Sequence, residues 1–228
     1  MRKLILLLLA TYAIMANPLP QSIHTTVKAI RGNSVELATT VPKGLSGIVL
    51  HNYGNGLVAI THSVVSKGDG RAELLPYKSI LHPNIPTVKT KVNENDRVIF
   101  GSFYDNVLLI APTAKSYSEI SKKFKKTWIH PDAYALAFMK EEKSAISLDS
   151  LQRFARANQI GLVLLTSKNY LLILDPISKQ FIGQEPLEIS VQNPMKPFFS
   201  RFEQMNISDF GWSDIKLKDY YKAIEELK

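Results

Sequence analysis

The stretch RVIFGSFYDNVLLIAPTAKSYSEISKKFKKTW, residues 97–128, holds the change on which the fold turns. Up to Pro112 the apolar residues come in short dense runs broken by Gly101 and by Asp105-Asn106, as in strands joined by tight turns. Beyond Pro112, Tyr117, Ile120, Phe124 and Trp128 recur at helical spacing, while Lys122, Lys123, Lys125 and Lys126 stay off that stripe. The hydrophobic period therefore shifts from about two to about 3.6 residues near Pro112-Thr113. This predicts an α+β chain in two units. A β-rich unit covers 21–112 as a small β-barrel or a sandwich of hairpins, and an α/β unit of helices packed on a small sheet covers 113–228.

Working back from this point, LSGIVLHNYGNGLVAITHSVV (45–65) carries Asn55-Gly56 between two apolar runs, the strongest short hairpin signal. SIHTTVKAI (22–30) and SVELATT (34–40) flank Arg31-Gly32-Asn33, a second tight turn. Working forward, HPDAYALAFMKEE (130–142) reads as a helix with Pro131 in its first turn. Leu151, Phe154 and Ala155 mark a further helix, with Ser147 as its cap and Asp149 in its first turn. IGLVLLTS (160–167) and NYLLILDP (169–176) read as two buried strands around Lys168-Asn169. Leu217, Tyr220, Tyr221, Ile224 and Leu227 form the stripe of a last helix.

The opening MRKLILLLLATYAIMANPLP has two positive residues, an apolar run from Leu4 to Ala16, then Asn17-Pro18. That order is a secretory signal peptide over residues 1–16, with a mature start at Asn17. An uncleaved anchor is the alternative, although about 13 apolar residues fall short of the roughly 20 needed to cross a bilayer. The expected location is the periplasm or the outer cell surface. The formal charge is +8, or +6 without Arg2 and Lys3. Such a balance suits anionic surfaces, including peripheral contact with a phospholipid membrane. Export argues against nucleic acid as the partner. The chain has no cysteine, which excludes disulfides, thiolate metal sites, a cysteine nucleophile and a lipidated N-terminal cysteine.

No motif nominates an enzyme, a cofactor or a metal. His24, His51, His62, His82 and His130 lack metal-ligand spacing. His51 and His62 sit on opposite arms of the Asn55-Gly56 hairpin, with His51 expected opposite Val58, several residues out of register. Gly44-Leu45-Ser46-Gly47 lacks the Gly-x-Ser-x-Gly spacing of a hydrolase elbow and reads as a turn. GDGRAE (68–73) lacks the Gly-Lys-Ser/Thr of a phosphate loop and precedes a strand. The densest positive run, SKKFKK (121–126), reads either as a patch for phosphates, head groups or acidic glycans, or as a solvated helix face with Phe124 turned inward.

NVLLIAP (106–112) followed by Tyr117 and Ile120, IGLVLLTSKNYLLILD (160–175), PFFSRFE (197–203) and LSGIVLHNY (45–53) together resemble the N-terminal domain of the plasminogen-binding protein pgbA family of bacterial envelope proteins. The resemblance covers nearly all of the chain after residue 16, and Leu108, Leu109, Ile110, Phe198, Phe199 and Arg201 are the positions it shares. It implies no catalytic or metal residue, and it gives Arg201 a structural hydrogen bond. What it does imply is an exported protein that captures host plasminogen, or a periplasmic structural or assembly module whose partners are other envelope proteins. Members named for the activity look longer, with a lysine- and glutamate-rich extension after this domain. Lysine-binding pockets of plasminogen-type modules recognise an ammonium with a carboxylate some distance away. Lys228, with the chain's terminal carboxylate, and then Lys222, Lys122, Lys123, Lys125 and Lys126, are therefore the candidate binding residues.

Overall fold

The computed structural model describes residues 19–77, 89–141, 144–187, 191, 193–202 and 217–228. The expected signal peptide and the Ala16-Asn17 junction lie outside the described residues. The N-terminal strands are β1 (Ile23–Arg31), β2 (Ser34–Leu37), β3 (Ser46–Gly54), β4 (Leu57–Gly68), β5 (Arg71–Pro76) and β6 (Arg97–Phe100). They close into a barrel in the order β1-β2-β5-β4-β3-β6, so of the two expected architectures the barrel is the one formed. Closure leaves this ladder without an open edge. The β3–β4 hairpin turns on Asn55 and Gly56, both at positive φ (49° and 79°), as a two-residue turn of the twist-matched type requires. His51 pairs with Ala59, one residue from the expected Val58, and His62 pairs with Val49.

The remaining strands are β7 (Asn106–Ile110), β8 (Thr127–Ile129), β9 (Leu162–Thr166), β10 (Tyr170–Asp175) and β11 (Gln180–Pro186). They form a second sheet in the order β11-β10-β9-β7-β8. β7 is parallel to β8 and β9, while β10 runs antiparallel to both of its neighbours. The helices are α1 (Ala114–Lys123), α2 (Pro131–Met139), α3 (Leu148–Asn158) and α4 (Tyr220–Glu225). Pro131 stands in the first turn of α2, and Ser147 caps α3 with Asp149 in its first turn, as expected.

Two expectations at the decisive stretch are corrected. Residues 97–110 are not a hairpin: β6 closes the barrel and β7 enters the other sheet, so sheet membership changes across 101–105, before Pro112. The physical reason is that β7 is apolar on both faces, which suits a strand covered on both sides and not a barrel wall. Nor does the helical stripe reach Trp128. The helix ends at Lys123, Phe124 leaves it in an extended conformation, and Trp128 lies on β8. Pairing of the short β-favouring run Thr127–Ile129 with β7 outweighs the local period.

The second sheet sorts its side chains by alternation. Val107, Leu109, Leu162, Leu164, Leu171 and Ile173 join the barrel's Val49, Val64, Val98 and Phe100, with Ile120 and Phe124 of the α1 region, in one buried cluster. Leu108, Ile110, Val163, Leu165, Leu172 and Leu174 face the other way, onto Tyr134 of α2, Phe154 of α3 and Tyr220 and Ile224 of α4. One apolar core therefore runs from the barrel interior to the near face of the sheet.

A buried carboxylate ties the same joint. Asp175, fully covered, accepts hydrogen bonds from the Ser46 amide of β3 and the Tyr104 hydroxyl, both at 2.7 Å, through Oδ2. Its Oδ1 accepts from the amides of Ile177 and Ser178, each at 3.0 Å. Gly161 lets the 101–105 connection pass: a Cβ there would stand 2.3 Å from the carbonyl carbon and oxygen of Phe103.

Candidate functional site

The sequence-nominated lysines fall into two groups on opposite faces of the second sheet. Lys222 and Lys228 belong to the α4 region, which covers the far face, whereas Lys122, Lys123, Lys125 and Lys126 belong to α1 and its exit, on the barrel side.

α4 begins where the Asp219 side chain accepts from the amides of Tyr221 and Lys222, at 3.1 and 3.4 Å. Tyr220, Ala223, Ile224 and Leu227 are buried, and this leaves Lys222, Glu225, Glu226 and Lys228 on the outer face. Lys218 Nζ donates to Glu226 Oε2 at 2.6 Å, and Lys168 Nζ lies 3.8 Å from Glu225 Oε1. The hydrogen bond from Lys218 holds the Glu226 carboxyl below the usual range, and the charge of Lys222 one turn earlier adds to this. Among the described residues Lys222 and Lys228 have no ion-pair partner. Lys228 lies against β10 and β11, beside a shallow groove lined by Leu172, Phe181, Gly183 and Gln184. On the other flank Lys218, Glu226 and Leu227 border a second groove floored by residues 144–149. The result is a mixed-charge face in which free ammonium groups stand within a turn of anchored carboxylates.

The run 121–126 does not form one patch. Lys122 and Lys123 occupy the last turn of α1, where cations offset the helix dipole. Phe124 is buried with the Lys123 ammonium 5.6 Å from its ring centre. Lys125 points to solvent. Lys126 is largely covered and donates to Asp105 at 2.9 Å, a structural pair at the entry to β7. Of the six nominated lysines, Lys126 is thus a tether.

Periodicity did not reveal a cluster at the carboxyl ends of β7 and β8, where the chain leaves β7 first to one side and then to the other. There Asp132 accepts from the Arg201 amide at 2.8 Å and from Arg201 Nε at 2.6 Å. This is the structural role expected of Arg201. Burial works against ionisation of Asp132, but the Arg201 hydrogen bonds and the nearby His130 outweigh it, so the carboxyl titrates below its ordinary value. Tyr117, His130 and Phe199 pack their rings beside this pair, at centroid distances of 5.2–6.1 Å. Burial and the Asp132 charge raise the Tyr117 hydroxyl above the usual tyrosine value. The signal was available as Arg201 itself, but its partner lies 69 positions away.

In the barrel His51 Nδ1 and Asp96 Oδ1 are 2.7 Å apart, and burial lowers the His62 pKa against a smaller opposing effect of Asp96. Among the described residues no group of three or more His, Cys, Asp or Glu side chains is placed to hold a metal ion. No helix among them is long and apolar enough to cross a membrane.

Comparison with known proteins places this geometry in a family. The family model described as plasminogen-binding protein pgbA N-terminal matches residues 22–227. Two proteins named plasminogen-binding protein PgbA, from Helicobacter pylori strains J99 and 26695, are each 24% identical over 166 residues. The aligned region is 72% of this chain and 36% of each relative, so the chain spans about a third of the length of the curated relatives it matches. No solved structure matches it. The chain belongs to the family of the plasminogen-binding protein pgbA N-terminal domain.

Proposed function

We propose that this chain is a non-enzymatic binding module of the bacterial envelope, exported by its N-terminal segment, that captures plasminogen through the lysines of the α4 face. The observation that carries the reading is the pairing of an unengaged ammonium, Lys222, with a carboxylate one turn later, Glu226, itself held in place by Lys218. That arrangement offers a lysine-binding pocket both charges it recognises, without requiring a chain terminus. Lys228 adds a second exposed ammonium to the same face. The family match and the names of the relatives support a protein as the partner.

The test is capture of the chain by immobilised plasminogen, with K222Q/K228Q beside the unaltered sequence and a lysine analogue as competitor. Loss of the two ammonium groups weakens capture about tenfold or more, equivalent to about 1.4 kcal/mol or more, and the analogue displaces the unaltered chain. Undiminished capture by the double variant, or indifference to the analogue, overturns the assignment of the site. Added protease on intact cells tests exposure: cleavage of the chain agrees with host capture, and full protection points to a partner inside the periplasm.

A further inference from the structure

The end of the barrel that carries the β3–β4 turn is distinctive. Leu57 is 63% exposed, and Tyr53 and Val58 are each 44% exposed. A Cβ added at Gly54 or Gly56 would meet nothing within 4 Å, so the turn stands clear of the body. From Asn52 to Val58 there is no charged residue. Strand register brings more of the surface to this end. β3 meets β6 from Gly47 opposite Phe100 to Leu50 opposite Arg97, which puts Arg97 and the residues just before it toward the turn. β1 meets β6 from Ile23 opposite Phe100 to Thr26 opposite Arg97, so exposed Ile30 projects beyond it at the same end.

Behind the apolar tip lie cations. The Tyr53 hydroxyl is hydrogen-bonded to the Thr90 hydroxyl, which sets Lys89 and Lys91 on either side of the contact, both exposed like Arg97. The acidic groups at this end are mostly engaged: Glu36 pairs with Arg31 at 2.7 Å, and buried Asp96 binds His51 and the Asn93 amide. Among the described residues exposed Glu94 remains, against Lys89, Lys91 and Arg97.

We infer that this barrel end docks on an anionic phospholipid surface, with Leu57 and Val58 entering the head-group region and Lys89, Lys91 and Arg97 meeting the phosphates. The tip projects from the body, is uncharged and carries Tyr53, Leu57 and Val58 exposed around Asn52 and Asn55, which suits a fluid boundary better than a protein groove. Tyrosine, with an apolar ring and a polar end, belongs at such a boundary. Lysines near an anionic membrane each add to binding by a similar increment, and that attraction fades within a Debye length. The surface is separate from the α4 lysines and does not depend on plasminogen capture.

The absence of cysteine permits a direct test on the full chain. L57C labelled with an environment-sensitive fluorophore is mixed with vesicles of phosphatidylcholine alone or with about one third phosphatidylglycerol. D69C, on the β4–β5 turn at the opposite end of the barrel, carries the same label and the same N-terminal segment as a control. The emission at position 57 shifts to the blue with anionic vesicles only, position 69 does not respond, and K89E/K91E weakens binding by about tenfold or more. No response at position 57 overturns the inference. So does an equal response to neutral vesicles, an equal response at position 69, or an unchanged affinity in K89E/K91E. A blue shift that grows with protein concentration without lipid would identify a second copy of the chain as the occupant and overturn it as well.

Discussion

The Tyr104 hydroxyl donates to Asp175 Oδ2 across 2.7 Å, so the segment leaving the barrel is fastened to the end of a strand in the second sheet. The Ser46 amide of β3 shares the same oxygen, and the carboxylate is therefore a rivet between barrel and sheet. Removing it in D175A strands two buried donors, the Ser46 amide and the Tyr104 hydroxyl, and two half-buried amides, those of Ile177 and Ser178. At about 1–3 kcal/mol for each buried donor left unsatisfied, a loss of about 3 kcal/mol or more is expected. Y104F removes one bond to a charged acceptor and costs about 1.5–3 kcal/mol. Urea unfolding of both variants provides the measurement, and a D175A protein as stable as its parent would contradict the rivet.

Alkaline pH loosens the fold through its buried tyrosines. Burial, then the Asp175 charge, raises the Tyr104 hydroxyl far above the ordinary value; burial alone dominates for Tyr134 and Tyr220. Unfolded tyrosines ionise from about pH 10, while these three stay protonated in the fold. The folded state then holds more protons than the unfolded one. Their contribution is intact below about pH 10 and is lost as pH rises toward the folded-state values, at about 1.4 kcal/mol per pH unit for each hydroxyl. Denaturation series between pH 8 and 11 should show this slope, and Y220F should flatten it by one residue's share.

Arg201 contributes through a surface-exposed side chain and a well-placed amide. R201Q keeps the amide bond to Asp132 and loses the guanidinium bond, for an expected cost of about 1 kcal/mol or less. The sharper readout is titration of Asp132 by NMR. Its carboxyl lies below the ordinary value in the parent, so it stabilises the fold above the unfolded-state pKa and ceases to do so as pH falls through the folded one. In R201Q the Asp132 pKa moves upward; an unmoved value would show that the guanidinium is irrelevant to it.

Gly161 tests close approach. G161A would place a Cβ 2.3 Å from the Phe103 backbone, which has no flexible end to yield, and a cost of about 3 kcal/mol is expected. G32A meets no neighbour and suffers only from its positive φ, for about 1 kcal/mol. Thermal melts of the two should differ in that order, and equal losses would refute the steric argument.

Hairpins and buried strands were legible because their signals are local. Asn55-Gly56 carries its own turn geometry, and the runs at 162–165 and 171–174 are apolar on both faces because both faces are covered. β8 and β11 were not legible. The first is three residues long, and the second contains Gly183 and polar residues, so each is a strand only because a neighbour offers a ladder. The lysines were legible as residue types but not as a surface. In sequence Lys126 is indistinguishable from its neighbours, because only the fold brings Asp105 beside it, and nothing local separates the α1 group from the α4 group. Asp175 was hidden for the same reason, since its donors come from Ser46 and Tyr104.

The seal on the second sheet has a consequence for how the chain is made. Tyr220 donates at 2.9 Å toward the Ile110 and Thr166 carbonyls, and the first of these lies 110 positions earlier. A chain emerging from the ribosome can zip its barrel shut once residue 100 is out, because β6 is the strand that closes it. The far face of the sheet, with Leu108, Ile110, Val163 and Leu165, is covered in part by α2 and α3, and the remainder stays open until α4 arrives. Nascent chains stopped short of Tyr220 should therefore present that open part to holdases, whereas chains that include α4 should shed them once it docks.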